Sequence, residues 1–508
     1  MLFNSYVFVL GFLPLTLGIF ALLAGRYAHA SAWFLVIASL AFYTWSSPWY
    51  HVGLLLASIV FNFAVGLGLR HKALNGARPV LLAFGVVVDL MVLGYFKYSD
   101  FFVAQVGFLT QIGLGRSGVG TLLPLGVSFY TFTQIAYLAD VYANKAQEYA
   151  PANYALFVTW FPHLIAGPIM HHREMMPQFA TAFRAKIDSR LVLIGLSIFS
   201  VGLAKKVLLA DQAAPFADAV FDRGTLLPLT FAEAWVGALA YSMQIYFDFS
   251  GYSDMAIGLS LMFGVRLPVN FNSPYKSKSI IEFWRRWHMT LSRFLRDYVY
   301  IPLGGNRRGP VRRYANLMAT MLIGGLWHGA GWTFVIWGAL HGLYLMANHA
   351  WNAAGGRLPK PVAIVVTFLA VVVAWVFFRA SDFTAAFAVL RPMALGNGLA
   401  LPSSLAGLLG SFESQGLHFD GLFANGIFSA RLAFLTLGIL LAAVWLLPNT
   451  QEVFRSVRPA ILPDNEPPSS LSPLQWRATW EWGCALGLLF GASFVRLGGD
   501  SPFLYFRF

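Results

Sequence analysis

Long apolar runs separated by short polar segments dominate this chain. They fall near residues 6–24, 32–45, 50–69, 79–97, 121–142, 153–170, 190–210, 232–264, 314–349, 361–379, 430–447 and 478–496. A helix rises about 1.5 Å per residue, so a run of about 20 residues crosses a hydrocarbon layer about 30 Å thick. The 232–264 and 314–349 runs exceed one crossing, and each predicts either two helices or one tilted, broken helix. The pattern predicts an all-α polytopic membrane protein with about eleven to thirteen embedded helices. All 508 residues form one integral-membrane domain, with a core near 80–380 and C-terminal helices over 430–508.

The polar segments between the runs suggest an orientation. Lys and Arg accumulate on the cytoplasmic side of membrane proteins. Arg70, His71, Lys72 and Arg78 therefore place the 70–78 loop inside, and the strongly basic 265–313 stretch belongs there too. The 98–120 loop holds only Asp100 and Arg116, and the 211–233 loop is acidic through Asp211, Asp218, Asp222 and Glu233, so both fit outside. One run strains this map. A spanning 153–170 helix would export the basic segment carrying Arg173, Arg184, Lys186 and Arg190. Pro162, Gly167 and Pro168 also oppose a straight helix, so 153–170 is expected to be re-entrant. Lys205 and Lys206 lie near the outer end of their run and fit the map poorly.

Composition agrees with a membrane protein: 58% of residues are hydrophobic, 11% are charged, and mean hydropathy is +0.63. Soluble domains carry about 25% charged residues. The net charge of +13 sits in loops rather than in a soluble basic domain, which excludes a nucleic-acid partner. A single cysteine, Cys484, excludes a disulfide framework and a multi-cysteine metal site. Ala28-His29-Ala30 mimics a signal-peptide cleavage site, but the first run has no basic flank, and 6–24 is expected to be a retained span.

Residues 280–303 are too charged to span. Phe283, Trp287, Leu291, Phe294 and Tyr298 recur at helical spacing, with Arg285, Arg286, Arg293 and Arg296 around them and Glu282 four residues before Arg286. This predicts one amphipathic helix at the cytoplasmic interface. The Pro- and Ser-rich 448–476 segment predicts a mobile loop, and the long 396–429 loop is uninformative.

Four constellations could carry chemistry. His328 sits within Gly324-Gly325-Leu326-Trp327-His328-Gly329, about 20 Å along a helix from Arg312 and Arg313. An ionisable group at that depth is costly, and glycine-broken backbone there implies a protein-lined cavity; a hydrogen-bonded packing histidine is the alternative. His288 sits in the charged 280–303 segment, ahead of the Gly304-Gly305-Asn306 turn, either roofing something or facing solvent. The nearby arginines suit either phosphates of a bound cofactor or anionic lipid headgroups. Tyr246–Asp254 places Asp248 and Asp254 inside an apolar run, either paired with arginines of 280–303 or handling protons. Phe161–Pro168 carries His163, expected to be structural; His171, His172, His341 and His349 are expected near helix ends. No metal-ligand spacing, phosphate loop, dinucleotide fingerprint or nucleophile elbow appears.

These four segments, in this order, resemble the membrane-bound O-acyltransferase family, most of all its bacterial polysaccharide O-acetylation branch. The resemblance rests on Phe161–Pro168, Tyr246–Asp254, Phe283–Asp297 and Gly324–Gly329, with Ser501–Phe506 at the C-terminal end; it runs from Phe3 onward and weakens over 396–476. It implies a ring of tilted, partly broken helices around a central funnel, in a bacterial inner membrane. It maps two central histidines onto His328 and His288. It further implies a cytoplasmic acyl donor, acetyl-CoA or an acyl carrier, with no tightly bound cofactor and no metal. An extracytoplasmic acetyltransferase partner would complete O-acetylation of an exported polymer. Alginate is the first expectation, then cellulose or another exopolysaccharide; D-alanyl transfer to teichoic acid ranks lower.

The residues fit this chemistry independently. Acyl transfer to a hydroxyl needs a base near neutrality, and histidine supplies it. Burial disfavours the imidazolium and keeps the ring able to accept a proton. His328 is expected to be the general base, and His288 to polarise the thioester carbonyl. Trp327, Trp287, Arg285, Arg286, Asp248, Asp254 and Asn306 are candidates for holding donor or acceptor. The rival classes are a proton-coupled transporter or flippase, for which inverted repeats would speak, and an export-complex scaffold.

Overall fold

The computed structural model describes residues 1–110, 123–146, 150–223, 225–226, 228–409, 413, 416–423, 425–462, 474–498 and 503–504. The helices in chain order are α1 (Leu13–Leu23), α2 (Ala28–Thr44), α3 (Trp49–Arg70), α4 (Arg78–Thr110), α5 (Val127–Tyr142), α6 (Pro151–Thr159) and α7 (His172–Ala182). Then come α8 (Ser189–Ala204), α9 (Asp211–Arg223), α10 (Phe231–Met262), α11 (Ile280–Trp284), α12 (Met289–Leu295), α13 (Gly309–His328) and α14 (Trp332–Ala353). The last are α15 (Lys360–Arg379), α16 (Phe383–Met393), α17 (Ala406–Leu409), α18 (Ala430–Leu446), α19 (Thr450–Val453) and α20 (Trp480–Val495). The strands among the described residues are two dipeptides, Leu399–Ala400 and Leu417–His418, paired in parallel. Four helical stretches, 49–70, 72–106, 189–222 and 360–379, are long and apolar enough to cross a bilayer. The protein is an all-α polytopic membrane protein.

The two over-long runs resolve differently. The 232–264 run is one helix, α10, which starts with a capping box: the Glu233 N–H donates to Thr230 Oγ1 and the Thr230 N–H donates to Glu233 Oε2. It is buried almost throughout, so it is the central post of the bundle. The 314–349 run is instead a hairpin of α13 and α14, broken at Gly329–Gly331.

Glycine sets the closest crossings. On α8, Gly195 and Gly202 lie seven residues apart, as do Gly251 and Gly258 on α10. A Cβ on Gly195 would press on the Gly258 carbonyl, and one on Gly202 on the Gly251 carbonyl. Where lipid is as apolar as leucine, such backbone-to-backbone packing supplies much of the attraction between helices.

Several expectations need correction. The 211–233 segment is mostly helix α9 rather than loop, and α4 continues to Thr110, well past residue 98; residues 111–122 of the expected 98–120 loop lie outside the described residues. Part of 448–476 is docked rather than loose: Asn449 Nδ2 donates to Asn272 Oδ1 and Ser273 Oγ, and the Ile461 N–H donates to the Leu267 carbonyl. Residues 463–473 lie outside the described residues. The 153–170 run does break, as its prolines predict: α6 ends at Thr159, and irregular backbone follows as far as His171.

Asp248 and Asp254 do not pair with arginines of 280–303. Lys206 Nζ lies 2.8 Å from Asp248 Oδ1, and Lys205 Nζ lies 2.6 Å from Asp254 Oδ2. A π-helical continuation of α8, Lys205–Ala210, turns both lysines toward α10. The two lysines that fit the orientation map poorly are thus the counter-ions of the two buried carboxylates. Removing one partner of a buried pair strands the other, at about 3–5 kcal/mol. Lys206→Met should therefore lower the melting temperature in detergent sharply, and the double variant Lys206→Met/Asp248→Asn should recover part of the loss; additive losses would show that the pair is not coupled.

Candidate active site

Helix α13 runs unbroken through Gly324 and Gly325, contrary to the sequence reading, and stops at His328. The two glycines are not equivalent in packing. A Cβ on Gly325 would strike the Phe334 carbonyl and the backbone of Gly338 on α14, so Gly325 is where the hairpin closes. The break itself is at Gly329, where a Cβ would enter the Phe334 ring. The tight return places the His328 ring against Trp337 at 5.0 Å, Phe378 at 5.1 Å and Trp327 at 4.9 Å between ring centroids. His328 is buried, with 4% exposure.

His288 also lies at a break. The expected single amphipathic helix over 280–303 is two short helices, α11 and α12, with His288 between them in the left-handed region at φ 42°. A non-glycine residue there is strained, and tertiary contacts must hold it. Asn270 does so. Its carbonyl accepts the Met289 N–H, and its side-chain Oδ1 accepts the Thr290 N–H at 3.3 Å and hydroxyl at 2.9 Å. The same Oδ1 lies 3.1 Å from His288 Nδ1. A backbone N–H can only donate, so the Asn270 oxygen is the acceptor and His288 Nδ1 carries a hydrogen. In the neutral ring the lone pair is then on Nε2. The predicted face survives the break: Phe283, Trp287, Leu291 and Phe294 are all buried, so the segment is packed into the protein rather than lying on its surface.

The two breaks bring the histidines together. Their ring centroids are 6.5 Å apart, and Trp327 contacts both, at 6.1 Å from His288 and 4.9 Å from His328. His328 lines a cavity of about 80 Å³ with Lys97, Gly126, Ser128, Ile165 and Trp327. Phe249 of α10 packs edge-on against His288 at 4.8 Å.

The other candidates divide. Trp287 lies one wall away, tilted against Trp375 at 4.9 Å, which stacks on Trp337 beside His328. Arg286 pairs with Glu282 at 2.7 Å, the four-residue spacing seen in the sequence, and Arg285 is exposed. Asn306 is exposed in the turn before α13. Asp248 and Asp254 are held in their lysine pairs. His163 is buried, with Nε2 2.9 Å from the Phe157 carbonyl. His341 is not near a helix end: it is buried in the middle of α14 and accepts from Trp284 Nε1 at 3.2 Å. No cluster of three His, Cys, Asp or Glu that could hold a metal occurs among the described residues.

Sequence reading missed Lys97 and Asn270. Lys97 donates to the carbonyls of Trp327 at 2.6 Å and His328 at 3.1 Å. Its signal was present, as a cation at the end of an apolar run. Asn270 had none, since its partners lie 18 and 20 residues away across a break.

Two imidazoles thus lie close together, buried among aromatic rings, and one of them lines a cavity. Residues 81–380 match the family described as MBOAT, membrane-bound O-acyltransferase. A Helicobacter pylori protein named peptidoglycan O-acetyltransferase is 40% identical, over 100% of this chain and 98% of that protein. The probable alginate O-acetylase AlgI of Azotobacter vinelandii is 46% identical over 77% of this chain and 78% of that protein, and that of Pseudomonas putida is 39% identical over the full length of both. The chain belongs to the membrane-bound O-acyltransferase family and is an O-acyltransferase.

If His288 takes part in acyl transfer, Asn270→Ala should lower it roughly ten- to a hundredfold, the range found when a hydrogen-bond partner that orients a metal-binding histidine is lost, with membrane levels checked by immunoblot. Unchanged transfer would show that the His288 anchor is dispensable.

Proposed function

We propose that this protein moves an acetyl group from a cytoplasmic donor, acetyl-CoA, across the bacterial inner membrane for O-acetylation of an exported exopolysaccharide, with alginate as the first candidate. The observation that carries the reading is the buried His288–His328 pair, 6.5 Å apart, with His328 on a cavity. His328 is the general base. Its ring takes the proton of the incoming hydroxyl as that oxygen bonds to the acyl carbon. The carbon–sulfur bond then breaks, and the proton ends on the leaving sulfur, which restores the neutral ring. His288 serves the thioester side. Its Nδ1 is engaged with Asn270, so proton exchange falls to Nε2. Cys484 is exposed on α20, so direct transfer is favoured over a covalent cysteine intermediate.

The relatives' names support acetyl as the group and an extracytoplasmic glycan as the final acceptor, and they divide between alginate and peptidoglycan. An extracytoplasmic acetyltransferase partner receives the acetyl group and modifies the polymer. A transporter reading draws on broken helices, a central histidine and the carboxylate of Asp248, and the pairing of Asp248 with Lys206 weakens the last of these.

The test is acetyl-ester content of exported polysaccharide and of peptidoglycan, in cells carrying wild type, His328→Ala or His288→Ala at matched membrane levels. Loss of a general base should reduce transfer about 10²- to 10⁴-fold. Loss of ester from the exported polymer alone supports the proposal. Loss from peptidoglycan alone moves the acceptor to the cell wall. Normal acetylation in His328→Ala overturns the mechanism, and lost export with unchanged acetyl density on the residual polymer favours a transporter.

A further inference from the structure

A helix that stops inside an apolar bundle leaves its last carbonyls without intrahelical donors. Helix α13 does this at His328, because Gly329 and Gly331 are extended and α14 starts only at Trp332. Where water is scarce, those carbonyls need partners from elsewhere in the protein. Two adjacent residues of α4 supply them. Tyr98 Oη donates to the Leu326 carbonyl. Lys97 Nζ donates to the Trp327 carbonyl at 2.6 Å and to the His328 carbonyl at 3.1 Å. The third ammonium hydrogen goes to Ser128 Oγ at 3.3 Å. The last three residues of α13 are thus capped in register, by side chains 228 to 231 positions away. A cation is also the favourable charge at a helix C-terminus.

The same lysine lines the cavity with His328, and Trp327, whose carbonyl it holds, touches both histidine rings. With its three hydrogens on Trp327, His328 and Ser128, Lys97 acts through the backbone of α13. We propose that Lys97 and Tyr98 are positioning residues of the acyltransferase: they clamp the end of α13 so that the His328 ring is held at the cavity and at its set distance from His288. The inference rests on the reading of His328 as the general base. Its chemical content is alignment, since a displacement of about 1 Å in a reacting group can cost on the order of 10²-fold in rate.

The experiment follows thiol release from acetyl-CoA by inner membranes that hold the full chain together with its extracytoplasmic acetyltransferase partner and alginate, for wild type, Lys97→Met, Lys97→Arg, Tyr98→Phe and His328→Ala, with melting temperatures on each variant purified from the same membranes. Lys97→Met keeps the length of the side chain but has no donor. It should lower kcat roughly ten- to a hundredfold and leave the KM for acetyl-CoA unchanged, because the Lys97 ammonium spends its three hydrogens on Ser128, Trp327 and His328. Lys97→Arg, which restores cationic donors, should recover part of kcat, and Tyr98→Phe should show a smaller fall in kcat alone. Wild-type kcat in Lys97→Met overturns the clamp, as does an equal loss in Lys97→Met and Lys97→Arg. A fall explained entirely by less folded protein also overturns it. If His328→Ala is as active as wild type, or wild type releases no thiol, the reading of the site fails and the clamp fails with it; an inactive His328→Ala beside a fully active Lys97→Met sinks the clamp alone.

Discussion

Backbone polar groups away from water must be paired, and this constraint decides how a histidine can be placed in the middle of an apolar bundle. Both central histidines sit where the chain stops being helical, so each placement exposes N–H or C=O groups that a continuous helix would satisfy. At His288 the debt falls on Asn270, whose main-chain carbonyl and side-chain oxygen together take up Met289, Thr290 and the ring itself. At His328 it falls on Lys97 and Tyr98. Neither break would persist without these distant groups, so the polar side chains that end the helices and the histidines they expose form one device.

The paired charges between α8 and α10 do a related job further out. Lys206 and Asp248 join the π-helical end of α8 to α10, and Asp248 Oδ2 also accepts the N–H of Leu504 at 3.0 Å. Lys205 and Asp254 extend the same seam to Thr450 and Gln451 of α19. Asp248 is followed directly by Phe249, whose ring packs on His288, and Phe503 packs on both Phe249 and Tyr252. The seam therefore backs the wall behind His288. Buried charge is costly unless paired, and here its use is to fix which helices meet and in what register.

How legible this was depends on the range of the interaction. Runs of apolar residues are enough to find most of the helices, and the glycines flanking His328 predict a break beside it without telling which of them makes it. Gly324 and Gly325 misled, because glycine marks both helix ends and close helix crossings, and only the position of Gly338 on α14 tells which applies. The periodic face of Phe283, Trp287, Leu291 and Phe294 was real, yet it was read as one helix. Two short helices bury the same face on either side of His288, and the reason for the break, Asn270, is invisible to any local pattern. Asp248 and Asp254 were recognised as anomalous, as were Lys205 and Lys206, but their pairing spans more than 40 positions and needs the α8–α10 packing to be known first. Ser501, Pro502, Tyr505 and Phe506 of the resembling C-terminal end lie outside the described residues; Phe503 and Leu504 lie within them.

The buried histidines differ in ways that bear on their division of labour. His163 is tied to the Phe157 carbonyl through Nε2. His341 accepts an indole N–H through Nδ1, so its neutral ring carries the hydrogen on Nε2. His288 is the reverse, with hydrogen on Nδ1. Identical side chains are thus set in opposite tautomers by their neighbours, which is how one residue type can serve structure at one place and proton transfer at another. Access separates the central pair again. His328 lines the cavity bounded by Lys97 and Ser128, whereas His288 is 0% exposed and does not line it. Under the proposed function this difference divides the work: the ring on the cavity would take the hydroxyl proton, and the deeper ring, with its tautomer held by Asn270, would serve the thioester.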